Sequence, residues 1–212
     1  TWKIWRGFDW GYSRPFSVGW YAVDHDGRLY RIRELYGCDG TPNHGVKWEP
    51  AKVAQEIRRI EAEDPNLKGR HIRGVADPAI FNHAGTESVS ALMERQGVYW
   101  DPGDHDRMAG LAQVHHRLAF DDEGWPMLYV FATCKHFIRT VPALVYDETD
   151  VEDVDTDGED HIYDELRYIC MANPMSPRPP AKRRVMVWDP LDLDPLKQER
   201  KLGRYDYYIK GA

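Results

Sequence analysis

Hydrophobic and polar positions alternate through the first third of the chain. Residues 3 to 9 carry Ile4, Trp5 and Phe8 and end at Asp9, residues 16 to 23 are rich in aromatic and β-branched side chains, and residues 28 to 36 alternate around Leu29, Ile32, Leu35 and Tyr36. Such runs form strands. The turn sequence Asp24-His25-Asp26-Gly27 joins the last two, so the pattern predicts a three-stranded meander. After a loop rich in Gly, Pro and Asn at 37 to 47 the period changes. Val53, Ala54, Ile57 and Ile60 recur at helical spacing between Pro50 and Glu63, and Asp64-Pro65 ends that helix.

Residues 71 to 76 then predict a short strand ending at Asp77-Pro78. It is followed by a helix near 87 to 96, a strand at 97 to 100, a helix near 106 to 119, a strand from Met127 to Phe131, and a helix over 133 to 146 kinked at Pro142. A last helix runs from about Asp160 to Asn173 and is closed by Pro174. From Ser176 the chain turns Pro-rich and then basic, so the expected division is a domain over 1–175 and a tail over 176–212. Three antiparallel strands, a helix, and alternating short strands and helices describe an α/β mixed sheet covered on both faces, the element order of ribonuclease H-like folds.

The 212 residues, 42% of them hydrophobic, suffice for one real core. No stretch approaches the roughly 18 consecutive apolar residues of a membrane span, and Thr1-Trp2-Lys3-Ile4 lacks a signal-peptide pattern, so neither a membrane nor a secreted protein is expected. Cys38, Cys134 and Cys170 stand far apart without C-x-x-C spacing. That argues against a disulfide framework or a structural zinc site and for a reducing compartment. The net charge of -7 is unevenly spread: 11 acids fall within 147 to 165 with no Lys or Arg, leaving 24 acids against 28 bases elsewhere. A locally basic surface beside an acidic cluster suits a polyanion partner whose chemistry uses metal ions, although proteins with neutral partners share it.

Three acids stand out by position. Asp9 ends the first strand, Asp77 ends the fourth, and Asp164 lies in the first turns of the last helix. Strand ends of an α/β sheet face a common crevice, so Asp9 and Asp77 are neighbours if their strands are adjacent. Two carboxylates about 4 Å apart repel by roughly 4 kcal/mol at an effective dielectric near 20, and an ionised cluster therefore needs a cation. Oxygen ligands select magnesium or manganese, and a two-metal centre would activate water and stabilise the leaving oxygen in phosphodiester hydrolysis. The structural alternative is that Asp after a strand caps a turn. Asp164 also shares a helix face with Asp160, His161, Tyr168 and Met171, opposite Ile162, Leu166 and Ile169, which reads as a solvated face. Asp160 doubles as a candidate N-cap, and His161 is either solvated or close to the metals. Arg14 beside Asp9, Arg107, and Lys182, Arg183 and Arg184 in the tail are candidate phosphate contacts. Trp10 and Tyr12 fit either stacking on bases or packing in the core.

Local sequence words add to this. Gly7-Phe8-Asp9-Trp10-Gly11, Gly74-Val75-Ala76-Asp77-Pro78 and Asp164-Glu165-Leu166-Arg167-Tyr168, in that order over about residues 3 to 173, together resemble the C-terminal nuclease domain of the tailed-phage terminase large subunit, the DNA-packaging motor protein. The resemblance implies a ribonuclease H-like fold and an endonuclease that cuts concatemeric double-stranded phage DNA in the host cytoplasm. It implies Asp9, Asp77 and Asp164 as ligands of two Mg2+ or Mn2+ ions, with His161 and Asp160 as further candidates, and Arg167 as a structural residue. An ATPase domain, a portal and the terminase small subunit are the implied partners of a longer parent, because this chain has no G-x-x-x-x-G-K-[ST] and its start at Thr1 reads as a fragment. Another ribonuclease H-like nuclease, such as a resolvase or exonuclease, or a non-catalytic module docking a portal or DNA, would fit the same residues.

Overall fold

A computed structural model of the chain describes residues 2–83, 87–121, 123–147, 153–156 and 158–175, all within a unit that ends at Met175. The expected tail, with Lys182, Arg183 and Arg184, lies outside the described residues. The alternating segments form β1 (Lys3–Asp9), β2 (Ser17–Val23) and β3 (Leu29–Tyr36), an antiparallel meander. Gly27 supplies the φ of 80° in the turn between the last two, a conformation other residues adopt only with strain. The segment of helical period is α1 (Pro50–Glu63), with Pro50 at the first position, where no backbone N–H is needed, and with Val53, Ala54, Ile57 and Ile60 buried.

The chain then returns to lay β4 (Ile72–Ala76) parallel to β1. Two short strands complete the sheet: β5 (Asp101–Pro102) runs parallel to β4, and β6 (Leu128–Val130) runs parallel to β3. The resulting order is β5-β4-β1-β2-β3-β6, with β1 central. The remaining helices are α2 (Val89–Glu94), α3 (Arg107–Leu118), α4 (Lys135–Thr140) and α5 (His161–Ala172). Side-chain alternation along β1 feeds two cores. Ile4 and Phe8 join Val18, Trp20, Val53 and Ile57 on the α1 side, while Trp5 joins Tyr21, Val75, Ile162, Leu166 and Ile169 on the α5 side. This is the expected α/β mixed sheet flanked by helices.

Three elements differ from the sequence pattern. Pairing on the sheet edge begins only at Asp101, so 97 to 100 is not a strand. The helix expected over 133 to 146 stops at Thr140 and gives way to a tight turn at Val141–Ala143, because Pro142 has no N–H with which to continue it. A single turn of 3-10 helix, Pro78–Phe81, follows Asp77. Among the described residues no helix is long and apolar enough to cross a membrane.

Candidate metal centre

The parallel pairing of β1 with β4 sets Phe8 opposite Ala76, and the next N–H, that of Asp77, donates to the Phe8 carbonyl at 3.1 Å. Asp9 and Asp77 therefore leave the sheet together at its C-terminal edge. Asp77 also caps the turn after it, accepting from the Ala79 N–H at 2.9 Å, so the turn-forming property weighed from sequence coexists with a place at the crevice.

α5 brings the third acid, and a neighbouring residue seats the helix. Gly7 and Gly19 face each other across β1 and β2. A Cβ on Gly7 would lie 2.6 Å from Glu165 Oε1, and one on Gly19 would lie 2.6 Å from Glu165 Oε2. The two missing side chains open the recess that Glu165 enters. There Glu165 accepts from Ser17 Oγ at 3.0 Å and pairs with Arg31 Nη1 at 2.6 Å, with both charged side chains fully buried. Burial disfavours the Arg31 charge, but Glu165, Tyr21 and Glu34 outweigh it and hold the guanidinium above its ordinary pKa. Asp164, one residue earlier, is oriented by Arg167, whose Nε and Nη2 lie 3.2 Å and 3.1 Å from Oδ1. The Arg167 stem packs against Gly110 of α3, where a Cβ would come within 2.5 Å of Cδ.

The acids crowd one another. Asp9 is only 6% exposed, and burial, followed by the charges of Asp164, Asp77 and Asp160, pushes its carboxyl well above the usual carboxylate range. Burial and Asp164 push Asp160 up to about 6. His161 Nδ1 lies 3.3 Å from Asp9 Oδ2 and 3.8 Å from Asp160 Oδ1, while its Nε2 faces Asn43 Oδ1 at 3.0 Å. Burial, reinforced by Arg14, lowers the His161 pKa. Asp9, Asp77, Asp160, His161 and Asp164 thus gather at one end of the sheet.

One expectation for α5 is corrected and a second is narrowed. It has no solvated face: His161 through Cys170 are buried except for half-buried Asp164, because α3 packs on the helix as well as the sheet. Asp160 is the N-cap residue by position, its carbonyl accepting from the Asp164 N–H at 2.9 Å, but its side chain makes no capping bond, so the carboxylate is not engaged as a cap.

Among the described residues no group of three or more His, Cys, Asp or Glu side chains is arranged so that it could hold an ion. The donor set nonetheless suits a hard cation. A hydrogen on Nε2, toward Asn43 Oδ1, would leave the Nδ1 lone pair of His161 facing the Asp9 carboxylate, and two electron pairs so opposed require a proton or a cation between them. The candidate phosphate contacts lie at the rim. Arg14 is exposed and donates to the Thr156 carbonyl at 3.3 Å. Arg107 heads α3, bonded through Nε and Nη2 to the Asp153 carboxylate and 3.8 Å from Asp164 Oδ1. Trp10 packs on the α1-side core, and Tyr12 is exposed.

No protein-family model and no curated protein sequence matches the chain. Solved structures do. The P22 large terminase nuclease domain superposes with a TM-score of 0.61 at 14% identity, covering 81% of this chain and 81% of that domain. The large terminase of a thermophilic bacteriophage superposes with a TM-score of 0.59 at 18% identity over 79% of this chain. This chain has the fold of a large-terminase nuclease domain. It spans 39% of the length of the thermophilic phage protein. Within the terminase nuclease fold, the first two sequence words fall on the ends of β1 and β4, and the third falls on α5.

Arg31, Glu165 and Asn43 shape this end of the terminase fold and were not anticipated. A signal existed for the first two. Leu29 and Ile32 lie an odd number apart and are both apolar, so β3 is buried on both faces and Arg31, on the Leu29 face, must have a buried acid as partner. Asn43, in Thr41-Pro42-Asn43-His44-Gly45, carries no signal beyond the turn composition of its loop.

Proposed function

We propose that this domain is a metal-dependent endonuclease that cuts concatemeric double-stranded DNA during phage genome packaging, with Asp9, Asp77 and Asp164 as the ligands of two Mg2+ or Mn2+ ions and His161 and Asp160 beside them. The observation that carries the reading is the crowding of Asp9 by Asp164, Asp77 and Asp160 where β1 and β4 end. Such crowding destabilises the metal-free protein and is useful only where a cation relieves it. Bound ions would polarise the scissile phosphate and supply a hydroxide nucleophile near neutral pH.

The protein's own residues hold this arrangement in place. Ala79 N–H fixes one oxygen of Asp77, Arg167 fixes one oxygen of Asp164, and each carboxylate keeps its other oxygen for a ligand. Arg14 and Arg107 supply positive charge at the rim, where a phosphate backbone would approach. In the parent protein, an ATPase domain, a portal and a small subunit would supply and present the DNA.

Plasmid cleavage tests the proposal. Folded protein should nick and linearise plasmid with Mn2+ or Mg2+ and leave it intact in EDTA, with little sequence preference. Asp77→Asn should lower the rate by at least about 100-fold, as when one member of a catalytic unit is lost. Robust cleavage in EDTA, or by the Asp77→Asn protein, would overturn the assignment.

A further inference from the structure

Backbone and side-chain groups of Asn43 reach the segment that begins α5. Its backbone N–H is bonded to Glu159, its Nδ2 donates to the Gly158 carbonyl at 3.2 Å, and its Oδ1 lies 3.0 Å from His161 Nε2. Glu159 is itself held by Arg139, with contacts of 2.5 Å and 3.0 Å, and by the Tyr36 hydroxyl at 3.1 Å. The loop that carries Asn43 is thereby fastened to β3 and α4 as well as to α5.

This network fixes which way the amide points. A carbonyl oxygen can only accept, so the Asn43 group facing Gly158 must be the NH2, and the group facing His161 must be the amide oxygen. The amide oxygen accepts as well, so His161 Nε2 must carry the hydrogen. A neutral imidazole with hydrogen on Nε2 has its lone pair on Nδ1, the nitrogen 3.3 Å from Asp9 Oδ2. Asn43 occupies φ 59°, in the left-handed region where Asn is among the few side chains readily accommodated. A β-branched residue there would be strained, Asp would offer no donor, and a Ser hydroxyl would put donor and acceptor on one atom rather than on two that face different partners.

We propose that Asn43 is the positioning residue of the metal centre: it locks His161 in the Nε2–H tautomer, so that the Nδ1 lone pair, paired with Asp9, is presented to a divalent cation. This rests on the metal-centre reading, but the tautomer itself does not depend on it. Partners of this kind commonly change metal affinity or activity by 10–100-fold when removed.

The test uses nitrogen-15-labelled protein in EDTA at pH 8, with the His161 ring resonances assigned by their loss in His161→Gln. Long-range proton–nitrogen correlations should show a hydrogen on Nε2 alone. Asn43→Gly keeps the left-handed backbone without strain and deletes the amide, and it should abolish the single-tautomer pattern. Asn43→Asp keeps an oxygen acceptor and should retain the pattern. Titration with Mg2+, followed by shifts of the His161 ring, should then give a dissociation constant at least about 10-fold weaker in Asn43→Gly than in the parent. A parent ring protonated on Nδ1, or a pattern unchanged in Asn43→Gly, would overturn the proposal. An altered tautomer with unchanged Mg2+ affinity would overturn the positioning function. Absence of Mg2+ binding in the parent would instead overturn the metal centre and leave the tautomer result standing.

Discussion

Replacing Arg31 by Met removes the cation beneath α5 and leaves the Glu165 carboxylate in a recess walled by Gly7 and Gly19. Both charged side chains are 0% exposed and 2.6 Å apart, so no water is at hand to replace the lost partner. Breaking a buried ion pair from one side typically costs about 3–5 kcal/mol. For a domain of this size each kcal/mol moves the melting temperature by roughly 2–4 °C, so Arg31→Met should melt about 6–20 °C below the parent. Glu165→Gln alone should also destabilise, because it leaves Arg31 only the longer pair with Glu34 at 3.6 Å. The double variant should recover at least about 2 kcal/mol relative to the sum of the single losses, since neither charge is then uncompensated. Urea melts of the four proteins, in EDTA so that metal binding does not contribute, close the cycle. Cleavage should follow the same order, because Glu165 seats the turn of α5 that carries Asp164. Single losses that simply add, to within about 0.5 kcal/mol, would show that the pair does not act as a unit and would refute the account of how α5 is anchored.

Two further outcomes follow from the same geometry. The Asp9 carboxyl is raised above its unfolded value, so its contribution to stability is full below about pH 3.8 and is lost as pH rises through the folded pKa. Asp9→Asn, melted without metal, should therefore match the parent near pH 4 and exceed it at pH 8 by up to about 4 kcal/mol, the size of one like-charge contact at about 4 Å and an effective dielectric near 20; a gap that does not widen with pH would contradict the crowding. Gly110→Ala forces a methyl into the Arg167 stem and should cost about 1–3 kcal/mol while lowering cleavage through the displaced Asp164, whereas equal stability would show that the stem has room to move.

How much of this was legible depended on the range of the interaction involved. The meander, α1 and the strand ending at Asp77 are written in local periodicity, because each buries a face whose side chains repeat every two residues or every three to four. Asp9 and Asp77 were readable for a related reason: parallel pairing of two strands aligns their ends. The strand at Asp101 was not readable, since two residues acquire that conformation only by pairing with β4. α5 was misread on its second face because periodicity reports which residues are apolar. It does not report that Glu165 will meet Arg31 134 positions away, or that α3 will cover the side opposite the sheet. Asn43 meets His161 118 positions on, through a loop whose composition predicts only a turn.

The position of Glu165 next to Asp164 gives the site its internal logic. Successive residues of a helix point about 100° apart, so one turn of α5 can send Glu165 into the sheet and Asp164 toward the end of β1. The inward residue is matched by the Arg31 cation and a hydrogen bond from Ser17, whereas the outward one joins carboxylates that repel. A helix carrying an acid into such a cluster would relax away unless something stronger held it down, and the Arg31 pair, closed off from solvent, resists that displacement. The glycine pair at 7 and 19 is therefore as much a part of the centre as the acids. Any side chain at either position would lift Glu165, and Asp164 would move with it.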